Sequence, residues 1–87
     1  MYSIDPKVLI TGAAAEDFRE LPTAIKPRVR KVLVRLRFWP EVSGVKPLSG
    51  PLAGYYRIRT GSYRVVFRVE PDAVVVVKIG HRDRFYG

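Results

Sequence analysis

Residues 55–79 read YYRIRTGSYRVVFRVEPDAVVVVKI. Three runs rich in β-branched and aromatic residues are separated by Gly61-Ser62 and by Glu70-Pro71-Asp72-Ala73, which is the signature of consecutive strands. Glycine in the first of two loop positions specifies a type II′ hairpin turn. Such a turn fixes the register, pairing Thr60 with Tyr63, Arg59 with Arg64, Ile58 with Val65, Arg57 with Val66 and Tyr56 with Phe67. Alternation then gives Tyr56, Ile58, Val65 and Phe67 to one apolar face, and Tyr55, Arg57, Arg59, Arg64, Val66 and Arg68 to the other. Arg59 and Arg64 stand directly opposite each other. Like charges so placed weaken a strand pair by some tenths of a kcal/mol, up to about 1. A cluster of arginines kept at that cost suits a multiply charged anion, because the planar guanidinium fork matches phosphate. A slipped register or a bulge would move Arg64 relative to Arg59.

Working outward, Pro71 occupies the favoured position of a type I turn. The run 73–79 is apolar on both faces, as in a central strand covered on both sides. Upstream, residues 40–54 carry Pro40, Gly44, Pro47, Gly50, Pro51 and Gly54 and read as a loop, pinned by Leu48 and Leu52. Residues 2–10 read as a first strand, with Pro6 marking an edge. Thr11 caps a helix over 12–21, and Pro22 ends it. Thr23 caps a second helix, which tolerates Pro27 close to its first turn. In that helix Ile25, Val29, Val32, Leu33 and Leu36 recur at helical spacing as a buried stripe. The order β-α-α-β-β-β predicts a single α+β domain over residues 1–87, with two helices packed on one face of a mainly antiparallel four-stranded sheet.

Charge carries the functional information. Sixteen Lys+Arg against eight Asp+Glu give a formal +8 in 87 residues. That balance points to a polyanionic partner: nucleic acid, an acidic protein or a membrane surface. The second helix presents Lys26, Arg28, Arg30, Lys31, Arg35 and Arg37, with no acid between Leu21 and Pro40. A solvated helix ordinarily mixes signs. This one reads as a phosphate-tracking surface or as a face neutralised by an acidic partner protein. Cysteine is absent, which excludes thiolate catalysis and permits a reducing cytoplasm. One histidine cannot build a His-cluster metal site. No apolar run approaches the roughly 20 residues of a membrane span, and the first residues lack a signal peptide's charged start and apolar block.

The tail GHRDRFYG adds His81, Arg82, Arg84 and Tyr86 after the last strand, within reach of the arginine face. His81 is the one side chain of a type that changes charge near neutrality. It reads equally as a proton-transfer group or as a hydrogen-bonded strand-end residue. Tyr86 is suited to stacking on a base or to exchanging a proton.

These residues together resemble the RelE/ParE toxin superfamily of type II toxin–antitoxin systems. The resemblance rests on L-S-G-x3-G-Y-Y-R-I-R-T-G-S-Y-R-V-V-F-R-V from Leu48, the four valines and G-H-R-x3-Y, with T-x-x-A-x-x-D-F-x-x-L-P from Thr11 as a looser match. It implies a metal-independent, cofactor-free endoribonuclease that cuts messenger RNA on the ribosome. The ribose 2′-hydroxyl attacks the adjacent phosphate, leaving a 2′,3′-cyclic phosphate and a 5′-hydroxyl, and positive side chains stabilise the growing charge. Carried over by position, Arg64 binds the scissile phosphate, Arg59 shares the transition-state charge, Arg57 holds the flanking backbone, Arg82 assists the leaving oxygen and Tyr86 orients a base. Arg68 and the basic helix then serve as further RNA contacts.

The pattern departs from its RelE relatives in one respect. They often carry lysines on the first hairpin strand, where this chain has Arg57 and Arg59. Arginine does not readily give up a proton, so His81 or Tyr86 becomes the acid–base candidate. The resemblance also implies a cognate RelB-like antitoxin, acidic and partly disordered, that folds on binding. Two alternatives share the fold: a ParE-like toxin that poisons DNA gyrase, and a toxin-fold protein that only binds its antitoxin.

Overall fold

The computed structural model describes residues 1–84. Its elements in chain order are β1 (Tyr2–Asp5), β2 (Val8–Ile10), α1 (Gly12–Arg19), α2 (Lys26–Arg35), β3 (Val45–Pro47), β4 (Tyr55–Thr60), β5 (Tyr63–Glu70) and β6 (Ala73–His81). Short 3₁₀ turns follow α2, precede β4 and follow β6. All six strands join one sheet in the order β1-β2-β6-β5-β4-β3. The β2–β6 pair is parallel and the others are antiparallel. The α+β architecture is therefore as the sequence predicts, with the three long strands in place and two more short ones than expected.

Both additions are three- or four-residue strands. Residues 2–10 fold back on themselves at Pro6, where the Lys7 N–H donates to Asp5 Oδ1 at 3.0 Å and closes a side-chain turn. A single strand thereby becomes the β1–β2 hairpin. Within 40–54, β3 adds to the outer edge of β4 through Val45↔Ile58, Lys46↔Arg57 and Pro47↔Tyr56. Pro47 is tolerated because β3 is an edge strand.

Thr11 caps α1 as expected, its Oγ1 accepting from the Ala14 N–H at 3.1 Å. Thr23 does not cap α2. The N–H groups its hydroxyl would serve, those of Ile25 and Lys26, already donate to the Pro22 carbonyl at 2.9 and 3.2 Å. Backbone geometry alone starts this helix, with Pro27 in its first turn.

The helices pack on one sheet face. Val29, Val32, Leu33 and Leu36 meet Val8, Ile10, Ile58, Val65, Phe67, Val74, Val76 and Ile79 in a single core. Trp39 closes one end of it against Tyr56 and Phe67, with ring centroids 5.1 and 5.5 Å apart. No helix among the described residues is long and apolar enough to cross a membrane.

One irregularity matters for the site. Val66 pairs with Lys78, yet the next residue of β5, Phe67, pairs with Val76. Val77 is thus an extra residue in β6, a β-bulge. It lets both Val76 and Ile79 enter the core although they are three residues apart, and it turns Lys78 to the opposite face.

Candidate nucleic-acid interface

The β4–β5 hairpin closes as its sequence specifies. Gly61 has φ +60°, and no non-glycine residue among those described has a positive φ, which is the type II′ pattern rather than type I′. The ladder runs Thr60↔Tyr63, Arg59↔Arg64, Ile58↔Val65, Arg57↔Val66, Tyr56↔Phe67 and Tyr55↔Arg68. Ile58, Val65 and Phe67 lie in the core with Tyr56 packed against them, so the arginines occupy the face away from the helices.

Register carries that face across four strands. One row is Lys46–Arg57–Val66–Lys78, and the next is Arg59–Arg64–Gly80. Arg68 lies beside Tyr55 in a third. At strand spacings of about 4.8 Å the first row spans roughly 14 Å, with cations at both ends and one near the middle. The centre of this face is not freely solvated. Arg57 and Arg64 retain only 8% and 7% of their exposure, and Arg64 Nε is withdrawn from solvent. Arg59, Lys46 and Lys78 are exposed around them. Burying a guanidinium is unfavourable unless its charge is compensated, and the packing that buries it also restricts its rotamers. A face with cations so held can stabilise negative charge without reorganising at the moment of reaction.

Lys46 and Lys78 are members that sequence reasoning missed. Lys46 sits in what reads as loop. Lys78 carried a signal: strict alternation from Val74 and Val76 would drive a lysine into the core, and that conflict marks the bulge.

The tail is arranged differently from expectation. His81 pairs with Tyr63, which packs against the core; the two rings meet edge-on at 5.3 Å. His81 therefore lies on the helix side of the sheet, lining a cavity with Asp17 and Glu20 of the α1 region. The expectation that the tail histidine shares the arginine face is corrected: the bulge at Val77 reverses the facing of every later residue in the strand. His81 Nδ1 lies 3.3 Å from both the Asp83 backbone N–H and Asp83 Oδ2. It accepts from the amide when that nitrogen is unprotonated and donates to the carboxylate when it is protonated. Arg82 is exposed, and its N–H donates to the Ser62 carbonyl at 2.8 Å, docking the strand end against the hairpin turn. Tyr86 lies outside the described residues.

The helix cations do not gather with the sheet arginines. Arg28 reaches the hairpin turn, its guanidinium 3.5 Å from where a methyl group on Gly61 would stand. Arg30 stacks over Phe18 at 5.5 Å, and Arg37 over Phe38 at 4.7 Å. Arg35 donates to the Ser43 carbonyl and hydroxyl at 2.9 and 3.0 Å. Lys26 is half-buried and Lys31 exposed. Around Arg30, the apolar surfaces of Ile4, Ile10, Phe18, Leu33 and Val34 form an open groove between β1, α1 and α2.

Known proteins share this fold. Residues 8–86 match the family described as the ParE toxin of the type II toxin–antitoxin system parDE. Toxin RelG of Mycobacterium tuberculosis is 33% identical over 86 residues, covering 91% of this chain and 93% of that protein. The mRNA interferase toxin RelE of Escherichia coli is 27% identical over 73 residues, covering 82% and 77%. The crystal structure of the RelBE2 toxin–antitoxin complex from Mycobacterium tuberculosis superposes with a TM-score of 0.76 at 28% identity, covering 91% of this chain and all of that one. The chain belongs to the ParE toxin family of type II toxin–antitoxin systems, and within it is a RelE-like toxin.

Proposed function

We propose that this toxin cleaves messenger RNA held on the ribosome, without metal or organic cofactor, and that it is restrained by a cognate antitoxin. The observation that carries the reading is the four-strand basic face, with charged Arg57 and Arg64 packed to 8% and 7% exposure at its centre. A gyrase-binding surface has no need of buried guanidinium groups on an open sheet, whereas a phosphodiester transition state does. The mRNA interferase name of the Escherichia coli relative supports the same reading.

In this mechanism the 2′-oxygen attacks phosphorus and the bond to the 5′-oxygen breaks. The proton lost by the first oxygen is returned to the second through solvent. Arg64 grips the scissile phosphate, and Arg59, directly across the ladder, shares the charge that develops there. Arg57, Lys46 and Lys78 hold the flanking backbone along their row, and Arg68 extends it. Arg82 neutralises the leaving 5′-oxygen, and Tyr86 orients a base. His81, held on the helix side by Tyr63 and Asp83, acts as a strand-end residue. The all-arginine hairpin thus works by positioning and charge.

The antitoxin reading draws on the groove between β1, α1 and α2. Ile4 and Val34 are exposed there, rimmed by Arg19, Arg30, Lys31 and Arg35. An acidic amphipathic helix, ordered on binding, fits both the apolar floor and the cationic rim.

Adding the purified toxin to a translating extract tests the activity. Cuts within codons at the ribosomal A site, bearing 5′-hydroxyl ends, are expected. Intact message together with inhibited gyrase supercoiling would overturn the nuclease reading in favour of the ParE-like one.

A further inference from the structure

Ile79 lies where β6 loses a neighbour. β2 accompanies β6 only from Val8↔Val74 to Ile10↔Val76, after which Thr11 donates to the Val76 carbonyl at 3.0 Å and the chain turns into α1. Beyond that point no strand among the described residues pairs with this edge of β6. An edge without a partner leaves backbone N–H groups to be satisfied by other means. At Ile79 the other means is Asp17 of α1, whose Oδ2 accepts the N–H at 3.0 Å across 62 residues of sequence. The opposite edge of the same segment is zipped to β5 through Arg64↔Gly80 and Tyr63↔His81, and to the hairpin turn through Arg82. Asp17 thus grips the free side of the segment that ends in Gly80, beside Arg64, and in Arg82.

We infer that Asp17 is a positioning residue for the sheet-face site. Its carboxylate fixes the lateral position of Gly80–Arg82 relative to Arg59 and Arg64, from the far side of the sheet. The cavity beside it separates this role from simple fold stability. A space of about 200 Å³ opens between Asp17, Glu20, Tyr63, Gly80 and His81. Water can enter it and satisfy the Ile79 N–H if the carboxylate is removed, so the amide is not left stranded. What is lost is the fixed, charge-assisted bond. The fold survives, and the strand end gains freedom where catalytic geometry is set.

The activity part of the test rests on the RNA-cleavage reading, so amide exchange is measured alongside it on the full chain. In Asp17→Ala, the amides of Ile79 and Gly80 should exchange faster while those of β4 stay protected. The first-order cleavage rate at saturating ribosomes should fall roughly ten- to a hundredfold, with KM within about twofold, as expected for misplaced rather than missing groups. Asp17→Asn keeps an oxygen that accepts the same bond and should restore both readouts. Glu20→Ala, across the same cavity, should change neither. Should Asp17→Ala not fold, Asp17→Ser, polar but too short to reach, must show the same kcat loss. Unchanged exchange and cleavage in Asp17→Ala, or equal losses in the Asn and Ala variants, would overturn the inference. If the wild-type protein cuts no RNA, the cleavage reading falls by itself. Exchange at Ile79 then decides: faster in Ala with Asn protected upholds the grip of Asp17, and equal protection in both refutes it.

Discussion

Replacing Arg59 by threonine should make the protein more stable and less active. Arg59 faces Arg64 in the ladder, and Arg64 is buried while Arg59 is exposed. Directly opposed side chains leave their Cβ atoms about 5 Å apart, so the two guanidinium groups can splay to about 6 Å. At that separation Coulomb's law gives about 0.7 kcal/mol of repulsion in water-like surroundings and about 3 kcal/mol at an effective dielectric near 20. The exposed partner keeps the pair near the lower figure, consistent with the few tenths to about 1 kcal/mol found for cross-strand pairs. Threonine is a good strand former, so the substitution carries little propensity loss. For a domain of this size, about 0.7 kcal/mol corresponds to a Tm about 3–6 °C higher. Removing one group that stabilises transition-state charge costs about 10²–10³ in rate. Calorimetry and a single-turnover cleavage assay read the two effects on one preparation. A lowered Tm would show that Arg59 supports the hairpin rather than opposing it, and unchanged cleavage would remove it from the site; either result refutes the reasoning.

Alanine at both Lys46 and Lys78 should weaken binding of a short single-stranded RNA and flatten its salt dependence. Two lost phosphate contacts reduce the slope of log K against log salt by about 1.4, measurable by fluorescence anisotropy, and an unchanged slope would take the pair off the RNA path. Gly61→Ala should lower stability by about 1–2 kcal/mol, because a left-handed φ is required there. The 3.5 Å approach of Arg28 is ordinary contact and adds nothing, so thermal melting of Gly61→Ala in an Arg28→Ala background should show the same loss. His81→Asn should leave the rate and its pH profile within about threefold of wild type, since general acid–base groups ordinarily contribute at least about 10²; a loss of about a hundredfold would restore His81 to the chemistry.

The hairpin is legible because its determinants are local. Gly61-Ser62 sets the turn, alternation sets the faces, and together they place Arg59 across from Arg64 without reference to the rest of the chain. The features that escape reading depend on partners remote in sequence. β3 has three residues and no pattern of its own, and it exists because the edge of β4 offers it a ladder. Residues 2–10 alternate well enough for one strand, but the Asp5 side chain closes a turn at Pro6. Thr23 has the right chemistry for a cap and is forestalled by the carbonyl of Pro22. Placing His81 by counting along the strand fails because a count does not survive a bulge. Asp17 belongs to a legible motif, yet its grip on Ile79 needs two elements folded together.

The extra residue at Val77 has an evolutionary consequence. A one-codon deletion at that position would remove the bulge and leave a regular ladder, with Lys78 still opposite Val66, Ile79 still in the core and His81 still beside Tyr63. Straightening the strand at its present length would do the reverse, turning Lys78 inward and Ile79 outward. The strand can therefore lose a residue at Val77 without rewiring the tail, whereas a change that only irons out the bulge would put a lysine into the core.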